Sequence, residues 1–398
     1  MAQTTLLCVA SYFKGSPFMR QAKAEGARVY LLTEEKLAGE DWPRESLDDV
    51  FLMPDLTKVQ DMINAVSYLF RGNIIDQIIA LDEYDVENVA TLREHLRLPG
   101  MGQSQTRYFR DKLAMRMKTR ENGVRVPSFT SVFNYDVLRE YMSAVIPPWV
   151  LKPRTEASTM GIRKLQNSEE LWRLFDQLGD QQSGFLLEQF VPGDVYHVDS
   201  LVWDGKVIFS SAQRYGKPPF SIYHDGGIFT TLTVKPESDD ARKLASVNRS
   251  VIDALQMKRG VTHAEFIKAH VDGEVYFLEV AARVGGANIA DMIEHSTGVN
   301  LWAEWARLEI ANIRNEQYQL PQTFQKYAGL INTLARQEHP DLSAYNDPEV
   351  VWKSDKKDHA GLIIASDKPE RVEELLDRYV ERFANDFMAV APPKSSAH

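Results

Sequence analysis

The sequence predicts an α/β (α+β) protein, because short apolar runs alternate with amphipathic stretches near its start and pairs of strand-like segments follow later. In the first hundred residues the apolar runs suit buried parallel strands, and the stretches between them have helical periodicity. The predicted strands are Thr5 to Ala10, Arg28 to Thr33 and Ile74 to Leu81, and the predicted helices begin near Pro17, Val59 and Val86. This order is typical of a parallel βαβ sheet.

An open parallel sheet usually presents its ligand crevice at the carboxyl ends of its strands, which here lead into loops 11–16 and 82–85. The glycine pattern of a dinucleotide-binding turn, Gly-x-Gly-x-x-Gly, does not follow the first strand. We therefore do not expect this part of the chain to bind a dinucleotide.

A second unit begins with a basic helix predicted from Asp111 to Arg120. Trp149 to Pro153 is predicted as a strand that carries Lys152 at its end, because proline cannot continue a central ladder. The polar loop 154–161 follows, and its small hydroxyl residues and glycine can offer backbone N–H groups to a phosphate, although a plain turn is the alternative. Ile162 to Leu165 is the predicted returning strand.

Alternating polarity and turn residues predict the remaining elements. The predicted strands are Phe185 to Val191, Tyr196 to Trp203, Lys206 to Gln213 and Ala360 to Ala365, and the predicted helices are Asp239 to Met257, Ala290 to Asn312 and Pro369 to Phe383. The tail from Pro392 is expected to fray.

Composition excludes several classes of protein. The chain of 398 residues has 46 basic and 56 acidic side chains, and its formal charge of -10 argues against nucleic-acid or anionic-membrane binding. A single cysteine, Cys8, excludes an internal disulfide framework and fits a reducing compartment. The apolar run around Cys8 is too short for a signal or membrane segment, so we expect a cytoplasmic protein.

Two glutamates, Glu265 and Glu279, lie on apolar runs joined by the turn signal Asp272-Gly273. A two-residue loop would turn them to opposite faces, whereas a three-residue loop from Val271, closed by a left-handed Gly273, would place them opposite each other. Facing carboxylates repel unless a cation or a shared proton lies between them, and hard oxygen ligands suit magnesium. A half-exposed hairpin with solvated glutamates is the alternative.

Five segments, taken in order, resemble the ATP-grasp superfamily. They are Arg110-Asp-Lys112, Leu151-Lys-Pro153 with Ser158 and Gly161, Glu188-Gln-Phe-Val-Pro-Gly193, Glu265-Phe266, and Glu279-Val-Ala-Ala-Arg-Val-Gly-Gly286. Their spacing is similar to biotin carboxylase, but the ending Glu-x-x-x-Arg-x-Gly-Gly looks more like the carboxylate-amine ligases, especially those that join L-amino acids into dipeptides.

The resemblance implies an ATP-grasp fold with three regions. Residues 1–110 would form an N-terminal Rossmann-like, pre-ATP-grasp domain. Residues 111–312 would form the two-lobed ATP-grasp domain, with a small lid lobe at about 111–187 and a large lobe at about 188–312. Residues 313–398 would form a small C-terminal α+β region that packs on the large lobe.

The resemblance also implies a nucleotide site. The residues expected to contact the triphosphate are Lys112, Lys152, Ser158 and Gly161. Glu188 would accept a hydrogen bond from the exocyclic amine of adenine, and the backbone near Phe190 and Val191 would read the ring edge. His197 would serve the ribose, because Val195 stands where relatives often have an acidic residue.

Metal and substrate residues follow in the same way. Glu265 and Glu279 would hold magnesium, or manganese in its place, and Ala281 departs from the asparagine that many relatives use as a further ligand. The residues expected to act in catalysis are Arg283, Lys152 and Arg214. The residues expected to bind the substrate are Arg283, Gly285, Gly286 and Asn288. The segment Tyr223 to Gly227 is a further candidate for the substrate side.

The resemblance implies an ATP-dependent carboxylate-amine ligase that works through an acyl phosphate. Its expected substrates are small carboxylates and amines, namely amino acids. A biotin carboxylase-like enzyme that activates bicarbonate is one alternative. An ATP-binding protein with reduced catalysis is another, for which Ala281 and the glycine-poor loop 154–161 are the best support. Relatives suggest a homodimer.

Overall fold

The computed structural model describes residues 3–156, 161–218 and 227–389. It begins with a four-stranded parallel sheet of strand order β3-β2-β1-β4. The strands are β1 (Thr5–Ala10), β2 (Arg28–Glu34), β3 (Asp49–Met53) and β4 (Gln77–Ala80), and the connecting helices are α1 (Ser16–Ala24), α2 (Val59–Leu69) and α3 (Val86–Leu96). The predicted βαβ order is therefore present. The edge strand β3 was not predicted, because its sequence, Asp-Val-Phe-Leu-Met, lies between acidic residues and is only partly buried.

The next unit is a small antiparallel sheet of order β5-β8-β6-β7. Two helices precede it, namely α4 (Gln103–Thr106) and α5 (Lys112–Glu121). Its own elements are β5 (Phe129–Ser131), α6 (Tyr135–Ala144), β6 (Trp149–Pro153), β7 (Arg163–Leu165), α7 (Ser168–Leu178) and β8 (Phe185–Gln189). Leu138, Leu171 and Phe175 pack against the strands to form a separate small core.

The third unit is an eight-stranded antiparallel sheet of order β13-β12-β9-β10-β11-β14-β16-β15. Its strands are β9 (Gly193–Trp203), β10 (Lys206–Tyr215), β11 (Phe229–Thr233), β12 (Gly260–Ala269), β13 (Val275–Ala281), β14 (Tyr327–Leu334), β15 (Val350–Lys353) and β16 (His359–Ser366). The strand β14 pairs directly with β11. The predicted C-terminal region therefore extends the sheet of the large lobe instead of only packing on it.

The helices of the third unit are α8 (Asp239–Leu255), α9 (Ile289–Thr297), α10 (Leu301–Ile313) and α11 (Pro369–Asp386). The single helix predicted from Ala290 to Asn312 is wrong. Gly298 ends α9 with a left-handed φ of 78°, and the Asn300 side chain accepts from the Ala303 N–H to begin α10. Within the described ranges, no helix is both long and apolar enough to cross a membrane.

Candidate active site

A cavity of about 360 Å³ lies between the small antiparallel sheet and the large sheet. The charged residues that line it are Lys112, Lys152, Lys164, Glu188, Glu265 and Glu279. Apolar side chains from both sheets, among them Val150, Ile162 and Leu278, form the rest of the wall. The folded chain therefore brings together most of the residues that the sequence predicted for a nucleotide and its metal, together with one lysine that it did not.

The two predicted metal ligands face each other, because Glu265 of β12 pairs with Glu279 of β13. The route to this register differs from the prediction. The Gly273 N–H donates to the Ala269 carbonyl at 2.9 Å, which closes a four-residue loop, and Gly273 is left-handed with a φ of 69°. With that loop alone, the pairing of β12 with β13 would be shifted by one residue. A β-bulge at Leu278 restores the register. The predicted three-residue loop was therefore wrong, although Gly273 is left-handed and the glutamates face each other as predicted.

Each of these glutamates keeps one carboxylate oxygen without a hydrogen-bond partner among the described residues. Glu265 Oε1 accepts from the Tyr215 hydroxyl at 2.9 Å, and Glu279 Oε2 lies 2.9 Å from Lys112 Nζ. Burial would raise the pKa of Glu279, but the Lys112 ammonium outweighs it and lowers the pKa to about 2. Two carboxylate groups with free oxygens toward one cavity fit the ligand set that magnesium prefers.

The buried Glu188 carboxylate bridges two cations. Its Oε2 accepts from Arg116 Nε at 3.3 Å and Nη2 at 3.1 Å, and its Oε1 pairs with Lys152. Burial raises the pKa of Glu188, but Lys152 and Arg116 reverse that effect and lower the pKa below its ordinary value. Glu188, which was predicted to accept a hydrogen bond from adenine, is therefore already the counter-ion of Arg116 and Lys152. This arrangement departs from the prediction.

Arg116 is a site residue that the sequence analysis missed. It lies on α5 one turn after Lys112, so both side chains leave the helix on one face. The third donor of Arg116, Nη1, binds the carbonyl of Leu278, the bulge residue beside Glu279. Helical spacing from Lys112 was the signal that could have identified it.

The link between the two sheets supplies the apolar end of the cavity. The Phe190 N–H already donates to the Pro148 carbonyl at 3.0 Å, whereas the Val191 N–H has no acceptor in the described part of the chain. Lys164 Nζ lies 3.7 Å from the centre of the Phe190 ring, a cation–π contact that the sequence did not indicate. Of the two predicted backbone positions, Val191 is the one with a free donor.

His197 does not face the ribose position that was predicted for it. Its side chain is fully buried, with Nδ1 2.6 Å from Asp199 Oδ2 and Nε2 2.9 Å from Thr231 Oγ1. Asp199 Oδ1 also lies 2.9 Å from His263 Nδ1, and burial lowers the pKa of His197. His197 lies on the same sheet face as its pair Glu265, but Asp199 and Thr231 already engage both of its ring nitrogens, which leaves neither for the predicted contact with ribose.

Arg283, predicted for catalysis, is held by a residue of the N-terminal domain. Its Nε and Nη2 lie 3.1 and 2.9 Å from Glu83 Oε2, while Arg110 Nη1 binds the other oxygen of Glu83 at 2.9 Å. Burial lowers the pKa of Arg283, but the Glu83 carboxylate outweighs it and raises the pKa. Glu83 lies in the loop 82–85, at the carboxyl edge of the parallel sheet.

Arg214, also predicted for catalysis, is exposed on the other face of the large sheet. It pairs with Tyr196, whereas its neighbour Gln213 pairs with His197, which pairs in turn with Glu265. Because side chains alternate along β10, Arg214 points away from Glu265. This placement contradicts the catalytic role that was predicted for Arg214.

Gly285 and Gly286 lead into α9 and differ in their surroundings. A Cβ on Gly285 would lie 2.7 Å from Asp199 Oδ1, whereas a Cβ on Gly286 would meet nothing within 4 Å. Ala287 and Asn288 follow with left-handed φ values of 54° and 65°, a strained pair for residues with side chains. The Asn288 side chain donates to Asp291 Oδ2 at 2.9 Å, and Asn288 does not line the cavity that holds Glu265 and Glu279.

Two predicted segments lie wholly or partly outside the described residues. Ser158 falls in 157–160, and most of the segment Tyr223 to Gly227, considered for the substrate side, falls in 219–226. Gly161 is described and is left-handed, with a φ of 70°. A Cβ at Gly161 would lie 2.8 Å from Pro153 Cγ, so glycine suits the approach of this loop to the end of β6.

Residues 145–291 match the ATP-grasp domain family, and this stretch contains the small antiparallel sheet from β6 onward and the strands that carry Glu265 and Glu279. This confirms the resemblance predicted from the five segments. The chain is 24% identical over 261 residues to an L-arginine-specific L-amino acid ligase of Bacillus subtilis. That match covers 64% of this chain and 62% of the relative, so the chain spans less than two thirds of the curated relative's length.

Solved structures agree on the fold over nearly the whole chain. The L-amino acid ligase from Bacillus licheniformis superposes with a TM-score of 0.77 at 16% identity, over 98% of this chain and 100% of that one. The biotin carboxylase domain of the Hydrogenobacter thermophilus 2-oxoglutarate carboxylase, solved with MgADP and bicarbonate, gives 0.72 at 15% identity, over 95% and 89%. At these identities the likenesses show the fold alone.

Proposed function

We propose that this protein is an ATP-dependent ligase that joins a carboxylate to an amine, with amino acids as its substrates. The observation that carries the proposal is the pair of facing glutamates, Glu265 and Glu279, in one cavity with Lys112 and Lys152. Phosphoryl transfer depends mostly on how the reactants are positioned and on neutralisation of the phosphate charge. Two lysines and two carboxylates suit that task better than they suit catalysis through a covalent intermediate with the protein.

The reaction would proceed in two steps. A carboxylate oxygen of the first substrate attacks the γ-phosphorus of ATP, the bond to the β-phosphate oxygen breaks, and ADP leaves. The amine of the second substrate then attacks the carbonyl carbon of the acyl phosphate, loses a proton, and displaces inorganic phosphate. The product is an amide or a peptide.

The residues of the chain would bind and orient the reactants. Lys112 and Lys152 would offer their ammonium groups to the triphosphate, and the Val191 N–H is free to bind the edge of adenine. Glu265 and Glu279 would hold magnesium, which when bound neutralises phosphate charge and fixes its geometry. Arg283, once it exchanges Glu83 for a substrate, would bind a carboxylate or the acyl phosphate with two parallel hydrogen bonds.

The substrates and assembly are part of the proposal. The named relatives act on amino acids, which supports amino acids for both the carboxylate and the amine. Gly285, Gly286 and the start of α9 would offer backbone N–H groups to the anionic end of a substrate. We further propose a cytoplasmic homodimer, on the same resemblance.

The test is ADP release by the purified protein with Mg-ATP and all pairs of the twenty L-amino acids, followed by mass spectrometry of any product. We expect ADP release that requires at least one amino acid, with a product that has the mass of a dipeptide. The variant Glu279→Gln should lose this activity, whereas Glu274→Gln, on the same hairpin but outside the cavity lining, should keep it.

Two other outcomes would replace the proposal. ADP release that depends on bicarbonate and not on an amine would favour a bicarbonate-activating enzyme, which the likeness to a biotin carboxylase domain makes worth testing. Calorimetric binding of ATP without turnover across all carboxylates would favour a binding protein, consistent with Ala281 in place of a metal-ligating asparagine.

A further inference from the structure

A second cavity, of about 270 Å³, lies between the N-terminal domain and the large lobe. Its lining includes Arg93 from α3, Lys258 and Arg259 from the segment before β12, and Glu309 and Trp305 from α10. None of these residues lines the cavity with the two glutamates. The second cavity is therefore a separate place where two domains meet.

Positive charge exceeds negative charge in this second cavity. Glu309 is the only acidic residue among the described residues that line it. Both of its oxygens are used, since Oε2 accepts from Arg259 Nε at 2.9 Å and Oε1 accepts from Trp305 Nε1 at 3.3 Å. The cavity is thus lined by three basic side chains and a single carboxylate, and both oxygens of that carboxylate already accept hydrogen bonds.

Arg93 has no carboxylate partner in the described part of the chain. Its Nε and Nη2 both donate to the backbone carbonyl of Ile78, at 3.0 and 2.5 Å, and this acceptor is neutral. Its Nη1 makes no hydrogen bond to a described residue. Burial lowers the pKa of Arg93 to about 10, with Glu309 acting against that fall, so the guanidinium still carries its charge at neutral pH. A partly buried guanidinium whose hydrogen-bond acceptor is a neutral carbonyl would be stabilised by an anion that supplies negative charge.

The chain makes room for this side chain. A Cβ on Gly100, where φ is +130°, would lie 3.0 Å from Arg93 Cδ and 3.2 Å from its Nε. A larger residue at position 100 would press on the guanidinium. The glycine therefore leaves space for the Arg93 side chain, and both residues line the cavity.

We propose that the cavity binds a small anion that carries a phosphate or carboxylate group. Arg93 and Arg259 would donate to the oxyanion, because a guanidinium matches the two oxygens of such a group. Lys258 would add charge from the rim, where its side chain is exposed. Trp305 and the neighbouring Met101 provide an apolar wall for the rest of the ligand. The ligand would bridge the two domains.

The experiment is calorimetric titration of the full chain with inorganic phosphate and, separately, with succinate, at constant ionic strength. We expect at least one of the two anions to bind with about one site per chain. Arg93→Met should weaken that binding by about tenfold or more, as expected for loss of a charged hydrogen-bond donor. Whether phosphate or succinate binds more tightly identifies the anionic group.

Control variants keep the result specific. Arg97→Met, an exposed arginine just after the end of α3, should bind as the wild type does, and so should Lys152→Met, in the first cavity. If Arg93→Met does not fold, Lys258→Met serves instead and should weaken binding severalfold. No binding of either anion to the wild type would overturn the proposal, as would unchanged binding in both cavity variants. Loss of binding in Lys152→Met would also overturn it, since the anion would then belong to the first cavity.

Discussion

Replacement of Glu188 by glutamine should destabilise the small lobe by about 3–5 kcal/mol, the cost of removing one partner of a buried ion pair. Arg116 and Glu188 are both buried, and Lys152 adds a second cation to the same carboxylate. A neutral amide accepts hydrogen bonds but does not offset two positive charges. The cost comes mainly from the cations left without a counter-ion, because water cannot reach Arg116 to replace the lost charge.

The assay is urea unfolding followed by circular dichroism, with the free energy of unfolding taken from the midpoint and slope. The matched control is Glu169→Gln in the same lobe, whose partner Arg173 lies 3.1 Å away and whose side chain is 79% exposed. That change should cost less than about 0.5 kcal/mol, as exposed pairs usually do. Because the folded-state pKa of Glu188 is lowered, its contribution is present above the ordinary value of 4.5 and is lost as pH falls through the folded pKa.

A second substitution separates the charge effect from simple loss of packing. If uncompensated charge is the cause, the double variant Arg116→Met, Glu188→Gln should lose less free energy of unfolding than the two single variants together. The difference should be at least about 1 kcal/mol. The reasoning is refuted if Glu188→Gln costs no more than Glu169→Gln. It is also refuted if the two changes at 116 and 188 simply add.

Three further substitutions test the candidate active site and the N-terminal domain. Glu265→Gln should lower amino-acid-dependent ADP release by ~100-fold or more, a loss typical of a missing electrostatic group, and an unchanged rate would contradict its role. Tyr215→Phe removes the hydroxyl that donates to Glu265, so the magnesium concentration for half-maximal ADP release should rise about tenfold while the KM for ATP changes little; equal shifts in both would contradict a positioning role. Burial raises the pKa of Asp85 from 3.8 to about 7. Between these pH values the folded protein keeps a proton on Asp85 that the unfolded chain has lost, so the free energy of unfolding falls as the pH rises. Asp85→Asn should therefore be more stable than the wild type at pH 8, by about 1.4 kcal/mol per pKa unit of the shift, and urea midpoints that fall equally in both proteins between pH 5 and pH 8 would contradict this.

Local sequence patterns predicted most elements of the fold because each depends on few residues. The β1 run from Thr5 to Ala10 is wholly apolar or small, and Asp111 caps α5 at the position that its sequence indicates. The single helix predicted from Ala290 to Asn312 was an error because helical periodicity continues across Gly298. The left-handed Gly298 ends α9, and the Asn300 cap begins α10.

The sequence predicted which residues line the candidate site better than it predicted which charged side chains pair with one another. Motif order correctly predicted that Lys112, Lys152, Glu265 and Glu279 share one cavity, because the fold brings together the elements that carry these motifs. Sequence could not show which partner each charge would take. Glu188 pairs with Arg116 across 72 residues, and Arg283 pairs with Glu83 across 200, so neither contact has a local signal.

The pairing of charges within the cavity would let the proposed nucleotide site be stable when empty and still bind Mg-ATP. Lys112 lies against Glu279, and Lys152 lies against Glu188, so each lysine that we propose for the phosphates has a carboxylate partner. Magnesium and a triphosphate would together bring both signs of charge. Glu279 would then hold the metal ion, and the Lys112 ammonium would bind phosphate oxygens, so no charge would be left unpaired. Glu188 differs, because Arg116 remains as its partner when Lys152 moves to the phosphates. The loss of Glu279 should therefore affect turnover more than stability, and the loss of Glu188 should affect stability first.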